Sequence, residues 1–218
     1  MSIKEELTKS QAAFLDKYKI SEELLIDAGG SEMTDELSQR MSDEEKAFAY
    51  NTAECPSNKN HQFKTRDGIC PQCQTSSVQS ALKEFEDGYV YIIGSVKAGL
   101  VKVGSTSEIV KRVKSLNGAA SKFAGCDDWE MLFYAKTTKI GKTVRLIQER
   151  LSNYLDTRQY AKTEKPQKGV EMFRCSYSKA KQAFLDVHIE QMSEFTQKVE
   201  KSGIIDSYQF RNLIVAAM

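Results

Sequence analysis

The chain has 218 residues, 40% of them hydrophobic and 28% charged, with 31 Lys+Arg against 30 Asp+Glu. This composition excludes a disordered or fibrous polymer, and the length suffices for one medium core or two small ones. No apolar run approaches the roughly 18 residues of a membrane span, and the polar N-terminus MSIKEELTKS has no signal-peptide core, so a cytoplasmic protein without a membrane partner is expected.

The near-neutral total conceals an uneven distribution. Residues 1–54 hold 6 Lys+Arg and 13 Asp+Glu, a balance of −7, whereas residues 88–175 hold 16 and 8, a balance of +8. A basic segment of this size fits a polyanionic partner, while the acidic head is either solvated surface or an element that occludes the basic body. The head, residues 1–54, reads as helical. Ala12, Ala13, Phe14 and Leu15 lie in a charged run, and Leu24, Leu25 and Ile26 precede a glycine stop at Asp27-Ala28-Gly29-Gly30. A second helix is expected over roughly 33–52, carrying Met33, Leu37, Met41 and Phe48.

Residues 55–87 read as a metal-binding loop and linker. Cys55, His61, Cys70 and Cys73 form C-x5-H-x8-C-x2-C. Two thiolates separated by two residues supply half of a tetrahedral zinc site, and Cys55 with His61 supply the rest. Four protein ligands leave no open position, so one structural Zn²⁺ is expected, stapling a segment too short for its own core. A C-x-x-C redox pair lacks the usual βαβ context here, and unconnected reduced thiols are the other alternative. Five cysteines, an odd number, argue for metal or free thiols before disulfides, and Cys126 and Cys175 have no partner at ligand spacing.

Residues 88–175 alternate β-type and amphipathic runs, which predicts a mixed α/β domain. Gly88 to Gly94 and Leu100 to Thr106 flank a short Gly-containing link and read as a hairpin. With residues 95–98 as its loop, Gly94 faces Gly99 and Tyr91 faces Lys102, close enough on one sheet face for their side chains to meet. A helix over Ser107 to Asn117 turns Ile109, Val113 and Leu116 inward and places Arg112 beside that seam. Another, between about 140 and 156, turns Val144, Ile147, Leu151 and Leu155 inward and Arg145, Glu149 and Asn153 outward. Residues 178–201 read as one helix with Ala180, Phe184, Val187, Phe195 and Val199 near one stripe. The tail from Gly203 to Met218 is apolar at Ile204, Ile205, Phe210, Leu213, Ile214 and Val215. It must dock on its own domain or on a second copy, which allows a homodimer through the C-terminal helix and tail.

Tyr89-Val90-Tyr91, Lys102-Val103-Gly104-Ser105-Thr106, Arg112 and Glu149 resemble, in order and approximate spacing, the GIY-YIG nucleases, and most nearly the branch named after a phage T5 open reading frame (T5orf172-like). The resemblance covers residues 88–175, including the ending Glu171-Met172-Phe173-Arg174. It implies an α+β fold: a small three-stranded antiparallel sheet flanked by helices, here preceded by the helical head and zinc loop. Position by position, Tyr91 matches the tyrosine of the first motif, Gly104 the glycine of the second, Arg112 the helix arginine and Glu149 the metal-binding glutamate. Tyr89 stands where a glycine is usual, Lys102 where a second tyrosine is usual, and Leu116 where many members have a histidine before Asn117. The implied function is a metal-dependent DNA endonuclease, phage-, restriction- or defence-related, with Tyr89, Tyr91, Lys102, Arg112 and Glu149 in its site and one Mg²⁺ on Glu149. Tyr91 as phenolate would take a proton from water if a cation such as Lys102 lay beside it, and Arg112 would clamp the phosphate. A nucleic-acid-binding module that kept the fold but not the reaction is the alternative. A zinc-stapled protein that binds protein partners is a third.

Overall fold

The computed structural model describes residues 3–118, 122–156, 159–162, 165–168, 171–191 and 194–214. The chain divides into two compact units, residues 1–83 and 84–218. Among the described residues no helix is long and apolar enough to cross a membrane.

The first unit contains helices α1 (Ile3–Glu6), α2 (Lys9–Tyr18), α3 (Asp35–Asp43) and α4 (Ser76–Leu82) and strands β1 (Leu25–Asp27), β2 (Phe48–Tyr50) and β3 (Lys64–Thr65). A reciprocal cap starts α2: the Gln11 amide donates to Thr8 Oγ1, while Gln11 Oε1 accepts from the Thr8 amide at 2.8 Å. Thr34 Oγ1 caps α3 by accepting from the Leu37 amide. The head is therefore not all helix. β1 and β2 pair in parallel across α3, and β2 pairs antiparallel with β3, giving a mixed three-stranded sheet. Leu24 ends a short 3₁₀ turn and Leu25 and Ile26 are strand, while the second expected helix stops at Asp43. There Glu45 takes a positive φ of 56° and the Lys46 amide returns to the Met41 carbonyl at 2.7 Å. Phe48, Ala49 and Tyr50 are all buried, as residues of a strand covered on both faces are, so no period-two alternation marks them.

In the second unit, β4 (Gly88–Ser95), β5 (Leu100–Thr106), β6 (Glu130–Thr137), β9 (Met172–Phe173) and β10 (Thr196–Glu200) form one antiparallel sheet in the order β10-β6-β4-β5-β9. The expected three-stranded sheet is thus its centre, extended by one strand at each edge. Strands β7 (Gln159–Lys162) and β8 (Lys165–Lys168) pair separately. Helix α5 (Ile109–Asn117) follows β5, α6 (Ile140–Arg150) follows β6, and α7 (Tyr177–Gln191) precedes β10. The single helix expected over 178–201 therefore ends early: residues 192–193 lie outside the described residues, and Thr196–Glu200 is an edge strand on β6.

Alternation divides the sheet into two faces. Val90, Ile92, Val101, Val103, Phe133 and Ala135 pack against α6 and α7 through Val144, Ile147, Ala180, Phe184 and Val187. Burying a side chain of this kind contributes about 1.5–3 kcal/mol. The Phe195 ring meets Phe184 at a tilt, with ring centroids 4.6 Å apart. The tail docks on its own domain: Tyr208 is buried, Ile204, Ile205 and Phe210 pack on the same core, and Leu213 and Ile214 stay exposed. Val215 lies outside the described residues. Gly94 makes this docking possible, because a Cβ there would sit 2.3 Å from Tyr208 Cδ1. The opposite face, with Tyr91, Ile93, Leu100 and Met131, is covered by Leu116 of α5 and by Phe123 and Trp129.

The hairpin register differs from the expected one by two residues. Ser95 pairs with Leu100, Tyr91 with Gly104 and Lys102 with Ile93, so the loop is Val96–Gly99. Gly99 takes a φ of 64°, and Asp128 clamps the turn by accepting from Ser95 Oγ and the Lys97 amide. A slip of two preserves parity, so Tyr91 and Lys102 still share a face but are diagonal rather than opposed.

Candidate functional site

The Tyr91 side chain crosses β5 at the position where its strand partner has no side chain. A Cβ on Gly104 would lie 2.5 Å from the Tyr91 hydroxyl, so only glycine leaves that ring its place. The hydroxyl accepts a 2.7 Å hydrogen bond from Arg112 Nε, delivered by α5. Burial raises the Tyr91 phenol above its ordinary value near 10, and the Arg112 charge opposes that rise. The cation hydrogen-bonded to the tyrosine is thus Arg112. Gly104→Ala is expected to displace the Tyr91 ring and break its bond to Arg112; a crystal structure of the variant with that bond intact would refute the steric account.

Lys102 is wholly buried, unlike an ordinary strand lysine. Its ammonium pairs with the Glu171 carboxylate and lies 4.9 Å from the Phe123 ring centroid. Tyr89 shares the face, but its hydroxyl donates to Gln197 Oε1 at 2.9 Å and its ring meets Tyr134 edge-on. Glu149 projects from α6, whose other side packs on the Val103 face. It accepts from Arg145 Nη1 at 2.8 Å, and Arg145 Nε lies 3.5 Å from Glu84 Oε1. Tyr91 with Arg112, and Lys102 with Glu171, are brought into contact; Glu149 contacts Arg145 on α6, the helix that covers the sheet face opposite Tyr91 and Lys102. Asn117 is structural: its amide side chain brackets the Trp129 backbone, accepting from the N–H and donating to the carbonyl.

Glu171 belongs to the ending Glu171-Met172-Phe173-Arg174 of the resemblance but not to the site residues expected from it. A signal for it exists, since a lysine on a face shared with Tyr91, Ile93 and Leu100 requires a nearby anion, and no carboxylate occurs on β4 or β5.

One family comparison bears on this unit. Residues 88–188 match the T5orf172 domain. That domain family is nuclease-like and related to GIY-YIG proteins, and the matched segment runs from β4 into α7, enclosing Tyr91, Lys102, Gly104, Arg112, Glu149 and Glu171. No curated protein and no solved structure matches the chain.

In the first unit, the ligand atoms of Cys55, His61, Cys70 and Cys73 all lie within 4.8 Å of one another. Cys55 Sγ is 3.6 Å from Cys73 Sγ, and His61 Nδ1 is 3.3 Å from Cys73 Sγ and 3.8 Å from Cys70 Sγ. Thiolates about 2.3 Å from a tetrahedral centre stand roughly 3.7 Å apart, so the four residues form a metal-binding constellation consistent with zinc. The turn is closed by the backbone: the Cys55 amide donates to the His61 carbonyl, and the His61 amide to that of Asn58. The thiols share their shifts: a backbone hydrogen bond from Ser57 brings Cys55 down to about 7, while the hydrogen bond with Cys55 pushes Cys73 up to about 11.

Proposed function

We propose that the T5orf172-type unit is a metal-dependent DNA endonuclease. The observation that carries this reading is the Tyr91 hydroxyl, held over Gly104 by Arg112 in a segment whose charge balance is +8. Among the described residues Arg112 spends only its Nε on a hydrogen bond, which leaves the terminal nitrogens of the guanidinium for a phosphate oxygen. At neutral pH the buried Tyr91 is a phenol, so its role is to hold and donate rather than to take a proton from water. Lys102 and Glu171 form the neighbouring charged pair, and Tyr89 borders the same face.

The fit of Mg²⁺ rests on Glu149. Its carboxylate is 56% exposed and offers oxygen ligands, and one carboxylate with substrate phosphates and waters is a usual set for this ion. Bound there, the ion would supply charge to a phosphoryl oxygen as the transition state develops. Purified protein is expected to nick supercoiled DNA with Mg²⁺, and Glu149→Ala is expected to leave only background product. Equal cleavage by both, or none by either, would sink the reading.

The Arg145–Glu149 pair favours one alternative, a nucleic-acid-binding module in which that carboxylate is committed to a structural contact. Such a module binds DNA in a salt-dependent manner, undiminished by Glu149→Ala and without Mg²⁺-dependent nicking. The zinc constellation has a structural role in either reading, because all four positions of a tetrahedral ion are taken by protein.

A further inference from the structure

Lys102 and Glu171 divide their exposure unequally. The lysine side chain has no accessible surface, whereas 41% of the glutamate's is open. A lysine in that state cannot itself meet a DNA phosphate; the member of the pair that faces solvent is the carboxylate.

The carboxylate is also held in place. From within the sheet it faces the Lys102 ammonium. Its backbone is pinned at the head of β9, where the Val103 amide donates to the Glu171 carbonyl at 3.1 Å. The strand that follows is fixed in turn: the Asp156 amide donates to the Met172 carbonyl, the Arg174 amide to that of Tyr154, and Arg174 Nε to the buried Asp156 carboxylate at 2.9 Å. An ordinary surface glutamate must lose side-chain freedom to reach one orientation, and here that cost is met by the fold. The position matters as well. Lys102 and Gly104 are two residues apart on β5, about 6.7 Å along a strand. The Tyr91 hydroxyl lies on Gly104 with Arg112 upon it, and the Glu171 carboxylate lies on Lys102, so the two contacts are borne by alternate residues of one strand.

We infer that Glu171 is a catalytic residue of this site, the proton acceptor for the attacking water, and that Lys102 is its positioning residue rather than a group that touches DNA. The inference rests on the hydrolytic reading above. It supplies a proton acceptor that the buried phenol of Tyr91 does not. Glu171 takes one proton from a water molecule, and the water oxygen forms a bond to phosphorus. The bond from phosphorus to the departing sugar oxygen breaks, leaving its electron pair on that oxygen, which takes a proton from solvent. Glu171 then returns its proton to solvent, and the products are one phosphomonoester and one hydroxyl.

The test uses the full-length protein as wild type, Glu171→Gln, Lys102→Met and the double variant. Cleavage is measured in Mg²⁺ and DNA affinity in chelator. Glu171→Gln is expected to cleave about 10²–10⁴-fold more slowly. In chelator it is expected to bind DNA more tightly, because a carboxylate that faces phosphate repels it. Lys102→Met is expected to lower kcat with little change in Kd, and the double variant to be no slower than Glu171→Gln alone, as residues acting in one chain are not additive. The double variant removes both charges together, so it serves if Glu171→Gln, which leaves the ammonium without this carboxylate, fails to fold. Wild type that cleaves no DNA overturns the nuclease reading and this assignment with it. Wild type that cleaves while Glu171→Gln, or the double variant in its place, keeps its rate or its DNA affinity in chelator overturns the assignment alone.

Discussion

Arg112→Ala is expected to reduce DNA cleavage by about 10²–10³-fold, the loss typical of removing one preorganised donor from a developing anion. The residue serves two ends at once. Its Nε holds the Tyr91 hydroxyl at 2.7 Å, and on the proposed reading the terminal nitrogens, which make no hydrogen bond among the described residues, take the phosphate. Alanine therefore removes the clamp and also strands a buried hydroxyl, which costs about 1–3 kcal/mol of stability. The two effects separate by experiment. Tyr91→Phe combined with Arg112→Ala removes the stranded hydroxyl and is expected to recover stability in urea unfolding without recovering cleavage. Arg112→Lys keeps the charge but not the planar fork, and is expected to bind DNA yet cleave slowly. An Arg112→Ala protein that cleaves at the wild-type rate would remove this residue from the site.

Stripping zinc is expected to unfold the first unit. Metal analysis of the untreated protein is expected to give about one Zn per chain, and wild type purified without zinc would refute the assignment. Apparent binding energies of structural zinc, about 10–16 kcal/mol in small zinc domains, equal or exceed the roughly 5–15 kcal/mol of net stability that a domain possesses. Cys55, His61, Cys70 and Cys73 tie the segment after β2 to the segment after β3, and few apolar side chains lie between them. The readout is built into the sequence. Trp129, the single tryptophan, lies in the second unit, stacked edge-on against Phe123. Chelator, or Cys70→Ser, is expected to lower far-UV ellipticity and open residues 1–83 to protease while Trp129 emission stays unchanged.

The parts of the fold that follow a simple period were readable in the sequence. α5 falls where expected with Leu116 buried, and α6 begins where expected with Val144 and Ile147 buried at helical spacing but stops at Arg150, short of the expected end near 156. The hairpin's two faces are legible in the sequence, but its register is not. Alternation specifies parity and nothing more; what selects the actual pairing is the fit of Tyr91 over Gly104, a contact between strands that no local pattern records. β2 was missed because a strand buried on both sides has no alternation, and β10 because Phe195 and Val199 continue the spacing of the helix before them. The metal constellation was legible because cysteine and histidine spacing carries its own chemistry. Glu171 was not, since its meaning depends on the burial of a lysine 69 positions earlier: a charge placed where solvent is absent.

Tyr208 and Phe195 have a consequence for where this protein can be divided. Both belong to the core beneath α6 and α7, and both lie beyond residue 188, where the match to the T5orf172 domain ends. Gly94, near the end of the first strand of that domain, is shaped around a ring that arrives more than a hundred residues later. The recognisable domain and the cooperative folding unit are thus different stretches of chain. A fragment trimmed to the homologous segment would expose a groove along the sheet and lack β10 at its edge, so the natural boundary for expression or transplantation lies after the tail, not at the end of the family signature.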